Sequence, residues 1–133
     1  EDFAKGHCQL MAELTTVGNV CEKQWETQFD EMMSLQKTYF IVVIENLKTK
    51  KLVASGSLLI EKKFIHKCGT VGHIEDIVVS QSMRRNNFGR VVVETLKNIA
   101  ENIGCYKVIL DCATKVEGFY KKCSFEKKEI QMD

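Results

Sequence analysis

Proline is absent from this chain of 133 residues. Pro-rich linkers and polyproline tails are thereby excluded. An excess of one charge is missing too, since 19 Lys and Arg face 18 Asp and Glu, leaving +1. A nucleic-acid binder needs a basic face to displace counterions from phosphates, and no block of one sign supplies it. Long apolar runs are also missing. The longest, Tyr39 to Ile44, falls far short of the roughly 20 residues that span a bilayer. The six cysteines include no C-x-x-C pair, and no Cys/His set recurs at zinc-ligand spacing. Neither a disulfide framework nor a metal site is indicated. Free thiols in a reducing compartment are expected, with the cytoplasm as the location. No signal peptide is visible, but the chain starts at Glu1 rather than Met, so it reads as a trimmed piece.

What is present is a hydrophobic content of 44%, without repeats or low-complexity stretches. At a length near the common domain size of about 100–150 residues, one domain over residues 1–133 is expected. Phe3, Leu10, Met11, Leu14 and Val17 fall at helical spacing, with Gly18 placed to close the helix. Trp25, Phe29, Met32 and Met33 mark a second helix from about Glu22 to Gln36. The period then changes. Tyr39 to Glu45 and Lys51 to Ile60 read as a hairpin around a polar turn, and Gly72 to Ser80 as a third strand beyond a loop. Val91, Val92, Val93, Leu96, Ile99, Ala100 and Ile103 predict a long helix ending at Gly104. A strand from Cys105 to Asp111, a short helix ending near Cys123, and a last strand over Phe125 to Met132 complete the pattern. A strand, long helix and strand imply a crossover between parallel neighbours. The fold class is therefore α/β: a mixed, mostly antiparallel sheet with one parallel pair, flanked by helices.

Chemistry concentrates in a few places. The segment Arg84-Arg85-Asn86-Asn87-Phe88-Gly89 lies between a strand and the start of the long helix. Free N–H groups, the helix dipole and basic side chains suit a diphosphate there, and Gly89 allows close backbone approach. Glu75 and Asp76 are acids inside an apolar strand. Neighbouring strand residues face opposite ways, so a regular strand puts one of them in a cleft, whereas a bulge could bring both to one site. His66, His73 and Tyr120 read on their own as ordinary structural residues.

Taken together, strand, basic turn, helix, strand and Tyr-bearing helix resemble the GCN5-related N-acetyltransferases. Three segments, LTTVG (Leu14 to Gly18), EKKFIHKCGTVGHIEDIVV (Glu61 to Val79) and GCYKVILDCATKVEGFYKKCSF (Gly104 to Phe125), resemble the glucosamine 6-phosphate N-acetyltransferases within it. Within the cofactor motif Asn87 stands for a glycine, and further on Val116 stands for the usual Asn and Ser124 for a Gly. Beyond Asp133 the family's last strand continues, with an Arg near the sugar phosphate. The resemblance implies acetyl transfer from acetyl-CoA to D-glucosamine 6-phosphate on the way to UDP-N-acetylglucosamine. It places the backbone of Ile77 and Val79 against the pantetheine arm and the N–H groups of Arg84 to Gly89 on the pyrophosphate. Lys63, Phe64, Ile65 and His66, with Glu75 and Asp76, would line the sugar phosphate pocket, and Thr15 would touch the phosphate. The main-chain carbonyl of Asp111 would position the amine, and Tyr120 would face the thioester sulfur. A homodimer with shared active sites is implied, in which Cys105 and Tyr106 reach the neighbour's sugar. Direct transfer needs no cysteine nucleophile. A related acetyltransferase for a peptide or polyamine, or a non-catalytic acyl-CoA-binding domain, remains open from the residues.

Overall fold

The computed structural model describes residues 1–133. Strands β1 (Tyr39–Asn46), β2 (Lys51–Lys62) and β3 (Thr70–Val79) form an antiparallel meander. A short β4 (Lys107–Leu110) joins β3 in parallel, giving the order β1-β2-β3-β4. The first turn is local chemistry: Asn46 Oδ1 accepts the N–H of Lys48 at 3.0 Å, and the Asn46 carbonyl that of Lys50 at 2.8 Å. Before the sheet come α1 (His7–Ala12) and α2 (Glu22–Ser34). A single turn, α3 (Ile65–Cys68), links β2 to β3; α4 (Phe88–Ile103) is the crossover, and α5 (Glu117–Lys122) follows β4. The mixed sheet with one parallel pair is present as the sequence predicts.

Helix α4 organises the core. Val92, Val93, Leu96 and Ala100 are wholly buried on its inner face, against Ala54, Leu58, Ile60 and Ile74 of the sheet. Burying a Val or Leu side chain stabilises the fold by about 1.5–3 kcal/mol, which for Val92, Val93 and Leu96 together outweighs the weak helix propensity of the β-branched residues. The helix ends where the sequence indicates. Gly104 is left-handed at φ 91°, its N–H reaches Glu101 O and the Cys105 N–H reaches Ala100 O, which swings the chain into β4. On the opposite face, Leu10 of α1 packs with Leu52 and Val78.

Three boundaries differ from expectation. The first helix stops at Ala12 instead of running to Gly18. Glu13 is taken for a tertiary contact, its carboxylate accepting the Gln81 N–H at 2.6 Å and the Ser80 hydroxyl at 3.2 Å. The loop between β2 and β3 is shorter, because Glu61 pairs with Val71 and Lys62 with Thr70. No strand forms over Phe125 to Met132. Ile130 and Met132 stand 83% and 87% exposed, and the segment joins neither of the sheet's free edges, β1 or β4.

Candidate active site

The parallel pairing of β3 and β4 runs from Val71–Lys107 to Ile74–Leu110 and stops. From Glu75 onward, that edge of β3 has no strand beside it. The Ser80 N–H bonds to Val53 of β2, so by strand alternation the backbone groups of Ile77 and Val79 face the open side. Arg84 Nε reaches the Val79 carbonyl from that side at 3.4 Å. A cleft therefore opens between the carboxyl halves of β3 and β4, the usual ligand position in such sheets.

A bulge shapes one wall of it. Gly72 and Ile74 face α4, so Val71, His73 and Glu75 face the other way. Val78 also lies on that other face, packed with Leu10. Counting back by two, Asp76 shares it. A regular strand could not place both acids there. The register shift between Ser55 and Ser57, with Asp76 left-handed at φ 53°, does so. Ile77 consequently turns into the α4 side, where Gly56 makes room for it: a Cβ on Gly56 would strike Ile77, Val92 and Leu96. Glu75, Asp76 and Asp111 form an acidic patch. Partial desolvation, then the Asp111 and Asp76 carboxylates, push the Glu75 carboxyl above the ordinary range, with His73 acting against them.

The other wall is the start of α4. Arg85 (φ 72°) and Asn87 (φ 59°) are left-handed, and Asn87 precedes the helix without a side-chain cap. The first helical bond runs from the Val91 N–H to the Asn87 carbonyl. The N–H groups of Phe88, Gly89 and Arg90 thus lack helical acceptors and, with Arg84 and Arg85 exposed beside them, form an anion cradle. Asn86 stays local, its side-chain amide donating to Met83 O at 3.0 Å. A Cβ on Gly89 would meet the Phe119 ring at 3.2 Å and Val79 at 3.5 Å. The smallness of Gly89 lets α4 and α5 close together.

Tyr120 sits on α5, half-buried, with Phe119 at 4.9 Å and Phe125 at 6.2 Å, both edge-on. Burial, then the Cys112 and Cys123 thiols, push its phenol above the ordinary value of 10.0. The hydroxyl stays protonated at neutral pH. Lys97 of α4 anchors this corner, donating to Cys123 O at 2.9 Å and lying over the Phe125 ring.

The residues assigned to the sugar phosphate are only partly gathered. Lys63 pairs with Glu61, whose other oxygen holds His73 Nε2 at 2.6 Å. Phe64 and Ile65 do not line a pocket of their own chain; they are 97% and 61% exposed. His66, Lys67 and Cys68 are left-handed in succession and exposed. His66 stacks on Tyr106 at 4.2 Å, and Gly69 is small because Tyr106 lies against it. Tyr106, expected to reach a neighbour, stacks on His66 in its own chain and keeps 37% of its surface exposed. Cys105 accepts from Thr70 Oγ1 at 3.7 Å, and Thr15 is exposed beyond α1. Sequence reading missed Gly56 and the Lys63–Glu61–His73 triad. Glu61 and Lys63, two apart across the end of β2, gave a signal; the His73 contact gave none.

The acetyltransferase (GNAT) family profile matches residues 8–125. Glucosamine 6-phosphate N-acetyltransferase 1 of Dictyostelium discoideum is 43% identical over 99% of this chain and 83% of its own. Glucosamine 6-phosphate N-acetyltransferase of Arabidopsis thaliana is 43% identical over 98% of this chain and 88% of its own. The crystal structure of the glucosamine-6-phosphate N-acetyltransferase from Arabidopsis thaliana superposes with a TM-score of 0.97 at 42% identity, covering 99% of this chain and 90% of that one. An acetyltransferase structure from Trypanosoma brucei follows at 0.91 and 34%, covering 99% and 91%. A cleft with an anion cradle on one wall and acids on the other, matched over nearly the whole length, makes this chain a member of the acetyltransferase (GNAT) family.

Proposed function

We propose that this chain transfers the acetyl group of acetyl-CoA to the amine of D-glucosamine 6-phosphate, releasing CoA and N-acetyl-D-glucosamine 6-phosphate. The observation that carries the reading is the cleft itself, with its diphosphate cradle and acidic patch on opposite walls. The pyrophosphate sits on the N–H groups from Arg84 to Gly89, and the pantetheine arm lies along Ile77 and Val79 as an added strand. The sugar ammonium is drawn to Glu75, Asp76 and the Asp111 carbonyl. Glu75, its pKa raised, takes the ammonium proton without binding it too weakly. The freed amine attacks the thioester carbon, and an N–H at Ile77 stabilises the oxyanion. As the carbon–sulfur bond breaks, Tyr120 O–H donates to the departing thiolate. The amine's second proton restores the Tyr120 phenol and Glu75 sheds the first to solvent, so one proton is released per turnover and no covalent enzyme intermediate is needed.

The phosphate is held by Lys63, His66 and Thr15, with Lys62 and Lys67 adding positive potential. That basic loop favours a phosphorylated amine over a peptide or polyamine. The exposed Phe64 and Ile65, the unpaired outer edge of β4 and the uncovered Ile130 and Met132 support a homodimer that completes each site. The cytoplasm is the location this reading gives, since the sequence shows no disulfide framework among its six cysteines. The step belongs to UDP-N-acetylglucosamine synthesis, performed by residues 1–133 as one catalytic domain. Thiol release measured with glucosamine 6-phosphate, glucosamine and a lysine peptide tests the reading. A kcat/KM far higher for the phosphate ester is expected; equal values for the two sugars refute it.

A further inference from the structure

One contact joins the end of α1 to the end of β3 and takes no part in acetyl transfer itself. Glu13 closes α1, and its carboxylate reaches across the fold. One oxygen accepts the Gln81 N–H at 2.6 Å and the other the Ser80 hydroxyl at 3.2 Å. Ser80 and Gln81 follow β3 and open the turn that leads to the cradle at Arg84 to Gly89. Ser80 does not cap the short 3₁₀ turn Gln81–Met83 with its own side chain. The Gln81 N–H, a free donor at the start of that turn, takes its acceptor from Glu13 instead.

The two sides of this contact are not held equally. The strand end is fixed without Glu13: the Ser80 N–H bonds to Val53 O and the Met83 N–H to Ser80 O, both at 2.8 Å, and Arg84 Nε reaches Val79 O at 3.4 Å. The chain after Glu13 has far less. The N–H groups of Leu14 and Thr15 both turn back to Met11 O, at 2.9 and 3.2 Å, and no backbone group from Thr16 to Val20 bonds to another backbone group. Leu14, Thr15 and Thr16 are exposed, so burial does not hold them either. Leu10 fixes α1 against Leu52 and Val78, and Glu13 carries that fixed point to the helix end. Thr15 follows two residues later.

We propose that Glu13 is a positioning residue for recognition of the sugar phosphate: it pins the loop between α1 and α2 to the end of β3, and so holds Thr15 close to the strand that walls the cleft. The inference rests on the assignment of the phosphate to Thr15 and deepens it by naming what keeps that residue in place. The anchored strand end is the reference, and the loop is the part that gains order. Without the clamp the loop samples other placements, and the sugar phosphate binds more weakly in inverse proportion to the time Thr15 spends in place. Glu13 does not touch the sugar; it acts through the loop.

Relaxation NMR on the unliganded protein tests the clamp without any substrate. Glu13→Ala should increase the motion of the amides from Leu14 to Val20, and the Gln81 amide should lose its protection from exchange. Glu13→Gln should keep both as in the wild type, because its amide oxygen accepts the Gln81 N–H and its NH2 donates to the Ser80 hydroxyl. Loop amides that relax alike in the wild type and Glu13→Ala overturn the proposal. Kinetics test what the clamp is for. Glu13→Ala should raise the KM for glucosamine 6-phosphate about ten-fold, since loss of a charge-assisted hydrogen bond is enough to leave Thr15 in place only about a tenth of the time. The KM for acetyl-CoA should hold, because the cradle keeps its own anchors, and so should kcat/KM for glucosamine, which has no phosphate to meet Thr15. Glu13→Gln should recover the wild-type KM. If both KM values rise together, if both sugars lose equally, or if Gln behaves like Ala, the role is structural and the proposal fails. A wild type indifferent to the phosphate refutes the substrate assignment and with it the ligand named here, whereas the NMR result still decides the clamp.

Discussion

Tyr120→Phe is the substitution that separates chemistry from packing at this site. The ring makes edge-on contacts with Phe119 and Phe125, and phenylalanine keeps both. Loop and helix contacts at this corner run through the Tyr120 carbonyl, which accepts from the N–H groups of Cys123 at 2.9 Å and Phe125 at 3.1 Å. The backbone is unaffected by the change, so Tm at neutral pH should hardly move. The hydroxyl matters only as negative charge develops on sulfur. One hydrogen bond to a charged partner contributes about 1.5–3 kcal/mol, or about ten- to a hundred-fold in rate. With chemistry rate-limiting, kcat should fall by that factor while the KM for acetyl-CoA stays nearly constant. A pH scan gives an independent check. The Tyr120 pKa is raised above its ordinary 10.0 in the fold, so the folded state keeps its proton after the unfolded chain has lost it. That stabilisation is complete below pH 10.0 and is lost as pH rises through the folded value. Tyr120→Phe should therefore unfold less readily than the wild type in strong alkali. An unchanged kcat would make Tyr120 a packing residue and remove the proton donor from the mechanism.

Glu75 has a raised pKa too, so its contribution to stability is present below the ordinary 4.5 and lost as pH rises through the folded value. Glu75→Gln should raise Tm slightly near neutrality, with the gain vanishing in acid, and should lower kcat/KM for the amino sugar; a lower Tm at pH 7 would contradict the electrostatics. Gly89→Val forces methyl groups against the Phe119 ring, an overpacking cost of about 1–3 kcal/mol, and displaces neighbouring Tyr120. Both Tm and kcat should drop, and an effect confined to the KM for acetyl-CoA would mean the glycine serves the diphosphate after all. Asn87→Gly, by contrast, relieves a left-handed residue and leaves every N–H in place, so CoA affinity by calorimetry should be unchanged. Sedimentation at micromolar concentration should give twice the chain mass, and a fully active monomer would dismiss the shared site.

Local pattern by itself determined most of the scaffold. The strands β1 to β3, helix α4 and its Gly104 end, and the basic turn before the helix were legible because periodicity, capping and charge act over a few residues. The sequence also signalled that Glu75 and Asp76 form an unusual pair, and that a bulge could unite them. Whether it did depended on the pairing of β3 with β2. The missing side chain at Gly56, about 20 residues earlier in the chain, makes the space that lets Ile77 turn inward, and no local pattern encodes that. The same holds for Gly89, whose neighbour is Phe119 on another helix, and for Lys63, claimed by a carboxylate that also holds His73. The strand expected over Phe125 to Met132 does not form although β1 and β4 each keep a free edge, because a strand exists only where its segment reaches such an edge, which local pattern does not encode. Elements are set by neighbours in sequence; a site is set by neighbours in space, and only the tertiary fold chooses those.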